Sequence, residues 1–423
     1  MLRLMMCLFL LALAGTVQGE RLYLEAGQLL DVDSGELLTA QAILIENGRI
    51  TEVGSIDEIT RPDDARHVDL SAMTVLPGLT DAHVHLTSNH DQHGFRRLAA
   101  SIPRQTLTGA RNARISLMSG FTTVRNVGAG GFSDVALREA IADGDIPGPR
   151  LLVSGPPVGI TGGHCADNNL LPPQFNATGE GVADGPWAVR QAVRHNVKFD
   201  VDLIKTCSTG GVLSRGTQVG APQYTVEELK ALVDEAHMHG RRVASHAHGA
   251  TGIRNAIKAG VDSIEHGSFI DEEGIRLALD HGTVLSMDIY VTEFILGVGE
   301  EAGILPESLE KERETGSAQR ANFTRALEAG VPMAFGTDAG VFPHGENAKQ
   351  LSRMVQFGMT PLQAIQSATI NNARLFGLEG DIGRIAPGYY ADLIGVGSSP
   401  LDDIAVLEQV KFVMKGGTVY KNQ

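Results

Sequence analysis

The sequence predicts an α/β protein: a (β/α)8 barrel flanked by a small β-sandwich built from both chain ends. Three observations predict it. Eight short apolar runs alternate with helical stretches between Leu76 and about Gly380. The segments before and after that region are short and alternating, as half-buried strands are. Five histidines, together with one lysine and one aspartate, cluster at the C-terminal ends of the apolar runs, where barrel enzymes carry their chemistry.

The first β region runs from Arg21 to about Val75. Asn47-Gly48 and Asp33-Ser-Gly35 supply its turns. The barrel strands are read near 77–85, 122–127, 150–154, 202–206, 242–246, 263–266, 283–287 and 332–336. Intervening helices end in glycine, at Gly120, Gly240, Gly260, Gly282 and Gly330, because glycine takes the left-handed conformation that closes a helix. Thr225 and Glu228 form a capping box. After Gly383 strands return, with Gly416-Gly417 as a hairpin turn. An open doubly wound sheet is the competing fold. It lacks support because no Gly-x-Gly-x-x-Gly sits on the first turn. The expected division is 1–19 leader, 20–75 sandwich, 76–380 barrel and 381–423 sandwich.

Composition narrows the function. The chain has 423 residues, 43% of them hydrophobic, which suffices for a large core. The formal charge of −15 is spread along the chain and disfavours nucleic acid, which needs a basic face. Arg3, the apolar run Leu4 to Ala14 and Val17-Gln18-Gly19 read as a secretion signal cleaved before Glu20. The run is too short to span a bilayer, which takes about 20 apolar residues. The expectation is a periplasmic or secreted protein with no membrane association after cleavage. Cys165 and Cys207 then remain. An oxidising compartment permits a disulfide without requiring one, and the pair is read as two small buried thiols.

The site is read from strand parity. Side chains at i and i+2 share a face. His83 and His85 therefore project together from strand one, and His246 and His248 from strand five. His266 ends strand six and Asp338 ends strand eight. Lys205 ends strand four on the face of Val201 and Leu203, toward the barrel interior. A buried ammonium tends to become neutral. A neutral amine can add carbon dioxide and become an anionic carbamate with two oxygens, suited to bridging two metal ions. The bland reading is a lysine in an internal ion pair.

These motifs resemble the amidohydrolase superfamily over essentially the whole mature chain: Leu79 to Leu86, Asp202 to Lys205, Val243 to Gly249, Ser263 to Gly267 and Gly336 to Asp338, with Pro387 to Leu393 and Val413 to Gly417 as the return into the sandwich. Thr161 to His164, Thr209 to Gly211 and Gln223-Tyr224 are similar to the prolidase-related branch. That branch includes metallocarboxypeptidases of dipeptides and N-acyl amino acids, and ochratoxin amidohydrolases. The resemblance implies that His83 and His85 hold a first divalent metal. It implies that carboxylated Lys205 bridges, that His246 and His266 hold a second metal, and that Asp338 touches the first metal and the nucleophilic water. Cys165 stands where the branch leads one to expect glycine, which bears on the loop shape.

On this reading two cations, zinc by donor type, sharing a water make hydroxide near neutral pH. Asp338 carries the proton, and Tyr224 or His248 assists the scissile carbonyl. His164, Tyr224 and His248 are the candidates for binding a substrate carboxylate. The expected partners are a small amide or dipeptide and further copies of the chain, as a homo-oligomer. The rival reading is a cyclic-amide hydrolase of the imidazolonepropionase, hydantoinase or dihydroorotase kind. A one-metal deaminase needs no carbamate, and a non-catalytic scaffold would lack ligands.

Overall fold

The structure, a computed structural model, describes residues 20–165 and 169–423. The expected secretion signal lies outside the described residues. Four strands come first: β1 (Arg21–Leu30), β2 (Leu37–Glu46), β3 (Arg49–Ser55) and β4 (Arg66–Pro77). Next are β5 (Leu79–Val84), β6 (Phe121–Asn126), β7 (Arg150–Val153), β8 (Leu203–Cys207), β9 (Arg242–Ala247), β10 (Ser263–His266), β11 (Val284–Ser286) and β12 (Met333–Ala334). Last come β13 (Leu393–Val396), β14 (Phe412–Lys415) and β15 (Thr418–Asn422).

The two chain ends form one sheet, ordered β15-β14-β13-β4-β1-β2-β3. Residues from both ends share one apolar core in this β-sandwich, including Leu24, Ile43, Val68, Leu393 and Phe412. Its turns are those the sequence marks. Asn47 and Gly48 both have positive φ, 52° and 76°, as a tight two-residue hairpin requires.

The eight parallel strands β5 to β12 form the barrel. Ladders join β5-β6-β7 and β8-β9-β10-β11-β12. Two narrow seams close the ring. Asp202 N donates to Val153 O at 2.8 Å, and a parallel bridge joins Val158 to Thr206. On the other side Ala82 N donates to Phe335 O at 2.8 Å, and Val84 bridges to Ala339. Alternation along β8 sorts its side chains. Leu203 packs with Val127 and Ala244 in a small cluster, while Ile204 joins the large layer between strands and helices. Lys205, two residues after Leu203, therefore follows it toward the interior.

The helices obey local rules. The capping box at Thr225 and Glu228 is formed in both directions. Gly260 and Gly282, with φ of 95° and 69°, close the helices Ala250–Ala259 and Glu272–His281. One expectation fails. Cys165 and Cys207 are joined by a disulfide, not left as two thiols. The bridge ties the loop after β7 to the last residue of β8, a proximity that a spacing of 42 residues does not reveal.

Candidate metal centre

Strand ends bring the predicted ligands to one place, at the base of a cavity of about 600 Å³. Potential ligand atoms of His83, His266 and Asp338 lie within 4.8 Å of one another, as do those of His246, His248 and His266. His85 Nε2 stands 3.2 Å from Asp338 Oδ1, and His83 Nε2 is 3.5 Å from the same oxygen. His83, His246, His266, Lys205 and Asp338 are all buried. His266 and Asp338 hold left-handed backbone, with φ of 70° and 62°. Non-glycine residues in that region are strained, and such strain gathers at functional sites.

Hydrogen bonds on the far nitrogens aim the imidazoles. Glu265 takes His83 Nδ1 at 2.9 Å and is itself held by Arg125 Nη2 at 2.7 Å and Ser263 Oγ at 2.5 Å. Asp288 takes His266 Nδ1 at 2.9 Å and accepts from Gln319 Nε2 at 2.7 Å. Each pairing leaves Nε2 free toward the cavity, the arrangement found around metal-ligating histidines. Glu265, Asp288, Arg125 and Gln319 escaped the sequence reading. Glu265 and Asp288 had a signal, since each sits at or just beyond the end of a barrel strand. Asp81 locks the mouth of the seam, accepting from His83 N, from Thr337 Oγ1 at 2.6 Å and from Asn347 Nδ2 at 2.8 Å.

Burial favours the neutral imidazole at His83, His246 and His248, whereas Asp288 raises the pKa of His266 against its burial. Burial pulls His83 down to about 4, helped by the Lys205 charge. Burial opposes ionisation of Asp338, but the His85 hydrogen bond and the charges of His83, His85 and His266 hold it well below the usual carboxylate range. Burial also pulls Lys205 down to about 8, against the attraction of Glu265 and Asp338. Lys205 Nζ is buried and has no hydrogen-bond partner among the described residues. The internal ion pair that would make this lysine merely structural is thus not formed. An orphaned amine amid clustered imidazoles and a carboxylate fits a site for divalent metal.

The remaining candidates divide. His248 joins the cluster, its ring 4.8 Å from that of His266 and its Nδ1 engaged by Ser268 Oγ at 2.8 Å. His164 lies 4.2 Å from the His246 ring, with Nδ1 bonded to Ser214 Oγ at 2.8 Å. Cys207 falls near both, but its sulfur is in the disulfide. Tyr224 is not brought to the cavity. It is buried, and its hydroxyl donates to Ala183 O at 2.7 Å. The donor role read for Tyr224 from its motif therefore has no geometric support.

The amidohydrolase family model matches residues 74–420. The chain belongs to the amidohydrolase family. Within this family it is 34% identical to the ochratoxinase of Aspergillus niger over 97% of this chain and 89% of that one. It is 38% identical to a Xaa-Pro dipeptidase solved with methionine bound in the active site, with a TM-score of 0.90 over 95% of this chain and 100% of that one. A prolidase complexed with N-methylphosphonate-L-proline superposes with a TM-score of 0.88 at 31% identity, over 95% and 100%. This amidohydrolase is a hydrolase of amide or peptide bonds.

Proposed function

We propose that the protein is a binuclear metal-dependent amidohydrolase that cleaves dipeptides or N-acyl amino acids, amides of the ochratoxin kind included. The observation that carries this reading is the unpartnered, buried Nζ of Lys205 among the histidines. His83 and His85 would hold one ion, His246 and His266 the other, Asp338 would join the first, and Lys205, as a carbamate, would bridge them. Bound divalent ions, zinc by donor type, supply Lewis acidity toward water and the scissile carbonyl.

The chain's own groups do the rest. Asp338 takes the proton from the attacking water and returns it to the leaving nitrogen. Glu265 and Asp288 fix the tautomers of His83 and His266. His248, with Nδ1 on Ser268, keeps Nε2 available to the carbonyl oxygen of the substrate. Leu98, Val212, Val291, Ile295 and Ile304 line the cavity and suit an apolar or aromatic side chain on the C-terminal residue.

The test is a metal count on purified protein together with a screen of dipeptides, N-acyl amino acids and cyclic amides. Two divalent ions per chain, loss of hydrolysis on chelation and recovery with zinc are expected. Full activity in metal-free protein removes the mechanism, and turnover of cyclic amides alone replaces the substrate class. We also propose export to an oxidising compartment, a setting in which the Cys165–Cys207 disulfide persists. Terminal sequencing of mature protein should begin near Glu20, and an intact Met1 on abundant protein would contradict it.

A further inference from the structure

We propose that the guanidinium of Arg97 receives the free carboxylate of the substrate, an assignment that rests on the amidohydrolase reading and supplies its anion-binding group. Arg97 lies in the short 3-10 helix Gly94–Ala99, on the connection from β5 to the helix Ile102–Met118. Neighbouring loops pin that turn. His93 N donates to Ala302 O at 3.0 Å, and His93 Nε2 is 2.9 Å from Val341 O. Arg96 Nη1 donates to Glu301 O at 2.5 Å and to Asp91 O at 3.3 Å. Gly94 has φ of 53°, and a Cβ there would come within 2.6 Å of Gly303 O, so the two loops touch backbone to backbone. The backbone that carries Arg97 is thus set by loops following strands one, seven and eight of the barrel.

Arg96 and Arg97 are adjacent but differ in situation. Arg96 is engaged by carbonyls. Arg97 lines the metal-site cavity, and its side chain has no hydrogen bond or ion pair with any described residue. The residue is exposed to solvent, and its guanidinium stays cationic throughout the accessible pH range. On the cavity wall it offers a ligand carboxylate the bidentate geometry that arginine favours.

The other acid on this wall does not fill that role. Glu312 is engaged by Thr292 Oγ1 at 2.5 Å, and burial pushes it up to about 7. Of the other receivers read from the sequence, Tyr224 is committed to Ala183 O, and His164 has Nδ1 on Ser214 Oγ and its ring against that of His246. Leu98 lies one residue along the same turn, so the anion site and the apolar wall are contiguous. That juxtaposition matches an amino-acid leaving group: a carboxylate beside an apolar side chain.

The experiment is calorimetric titration of zinc-loaded enzyme with 3-phenylpropionate and 3-phenylpropanamide, which share a shape and differ in charge. Wild type should bind the acid about ten- to a hundredfold more tightly than the amide. In Arg97→Met that ratio should fall toward one. Arg97→Lys, which keeps the charge and loses the fork, should retain part of it and stands in if Arg97→Met does not fold. A preference that survives Arg97→Met or is undiminished in Arg97→Lys, or that is absent in wild type, overturns the assignment. An enzyme that binds the acid through Arg97 but hydrolyses no dipeptide or N-acyl amino acid keeps this site and loses the proposed function.

Discussion

The Glu265 carboxylate accepts a hydrogen bond from His83 Nδ1 at 2.9 Å, and the two residues are 182 positions apart. Both are buried, and Arg125 closes the triad from the other side. Burial would raise the Glu265 pKa, but Arg125 and His83 hold it well below the ordinary value. Glu265 therefore stays anionic and keeps the proton on Nδ1, leaving Nε2 as the ligand atom. Glu265→Gln should weaken metal binding by about ten- to a hundredfold. Competition with a chromogenic chelator measures it, and an unchanged metal affinity would assign Glu265 to barrel packing alone.

Lys205→Ala should lose metal and activity together. A short carboxylic acid such as propionate should restore part of both, because it returns an anionic group to the vacated place. Metal content, read by plasma emission spectroscopy with and without the acid, decides the matter. Wild-type metal content in Lys205→Ala would show the lysine to be dispensable for the site.

The Cys165–Cys207 bridge closes a loop of 42 residues and tethers the segment carrying His164. Chain-entropy arguments give such a crosslink about 4 kcal/mol at most. The double variant Cys165→Ala, Cys207→Ala should melt several degrees lower. Thiol titration of denatured, unreduced mature wild type should find no free thiol. Two free thiols would show the bridge absent in solution.

An ion-pair network around the buried Glu235 carboxylate predicts acid sensitivity. Glu235 is held down to about 2, chiefly by its hydrogen bond to Arg194, with Arg190 and His239 contributing. Its folded pKa lies below its unfolded one of about 4.3. Its stabilisation is therefore complete above the unfolded value and is lost as pH falls through the folded one. The window is about pH 4 down to 2. Glu235→Gln should cost about 2 kcal/mol at neutral pH, discounted for solvent at Arg194, and the cost should shrink across that window. Urea titrations at pH 7 and pH 3 test this, and a pH-independent difference would mean that the charge is not the cause.

Masking the substrate carboxylate as an amide should lower kcat/KM by about ten- to a hundredfold. Paired assays of an N-acyl phenylalanine and its carboxamide measure it. Equal rates would remove the free carboxylate from the recognition scheme.

The sequence by itself determined the features that rest on local periodicity. Strand parity placed His83 with His85 and Lys205 with Leu203, and the eight strands fell where apolar runs predicted. Glycines and the Thr225 capping box set helix ends, because those conformations depend on a few neighbouring residues. Only the tertiary structure decided the partners that close across the ring. Glu265 beneath His83, Asp288 behind His266, the disulfide, Tyr224 turned to Ala183 and Arg97 on the cavity wall with no anion among the described residues all depend on which loops meet once the barrel closes. Alternation fixes which side of a strand a residue faces. It carries no information about the side chain that another strand, tens to hundreds of residues away, brings to the same point.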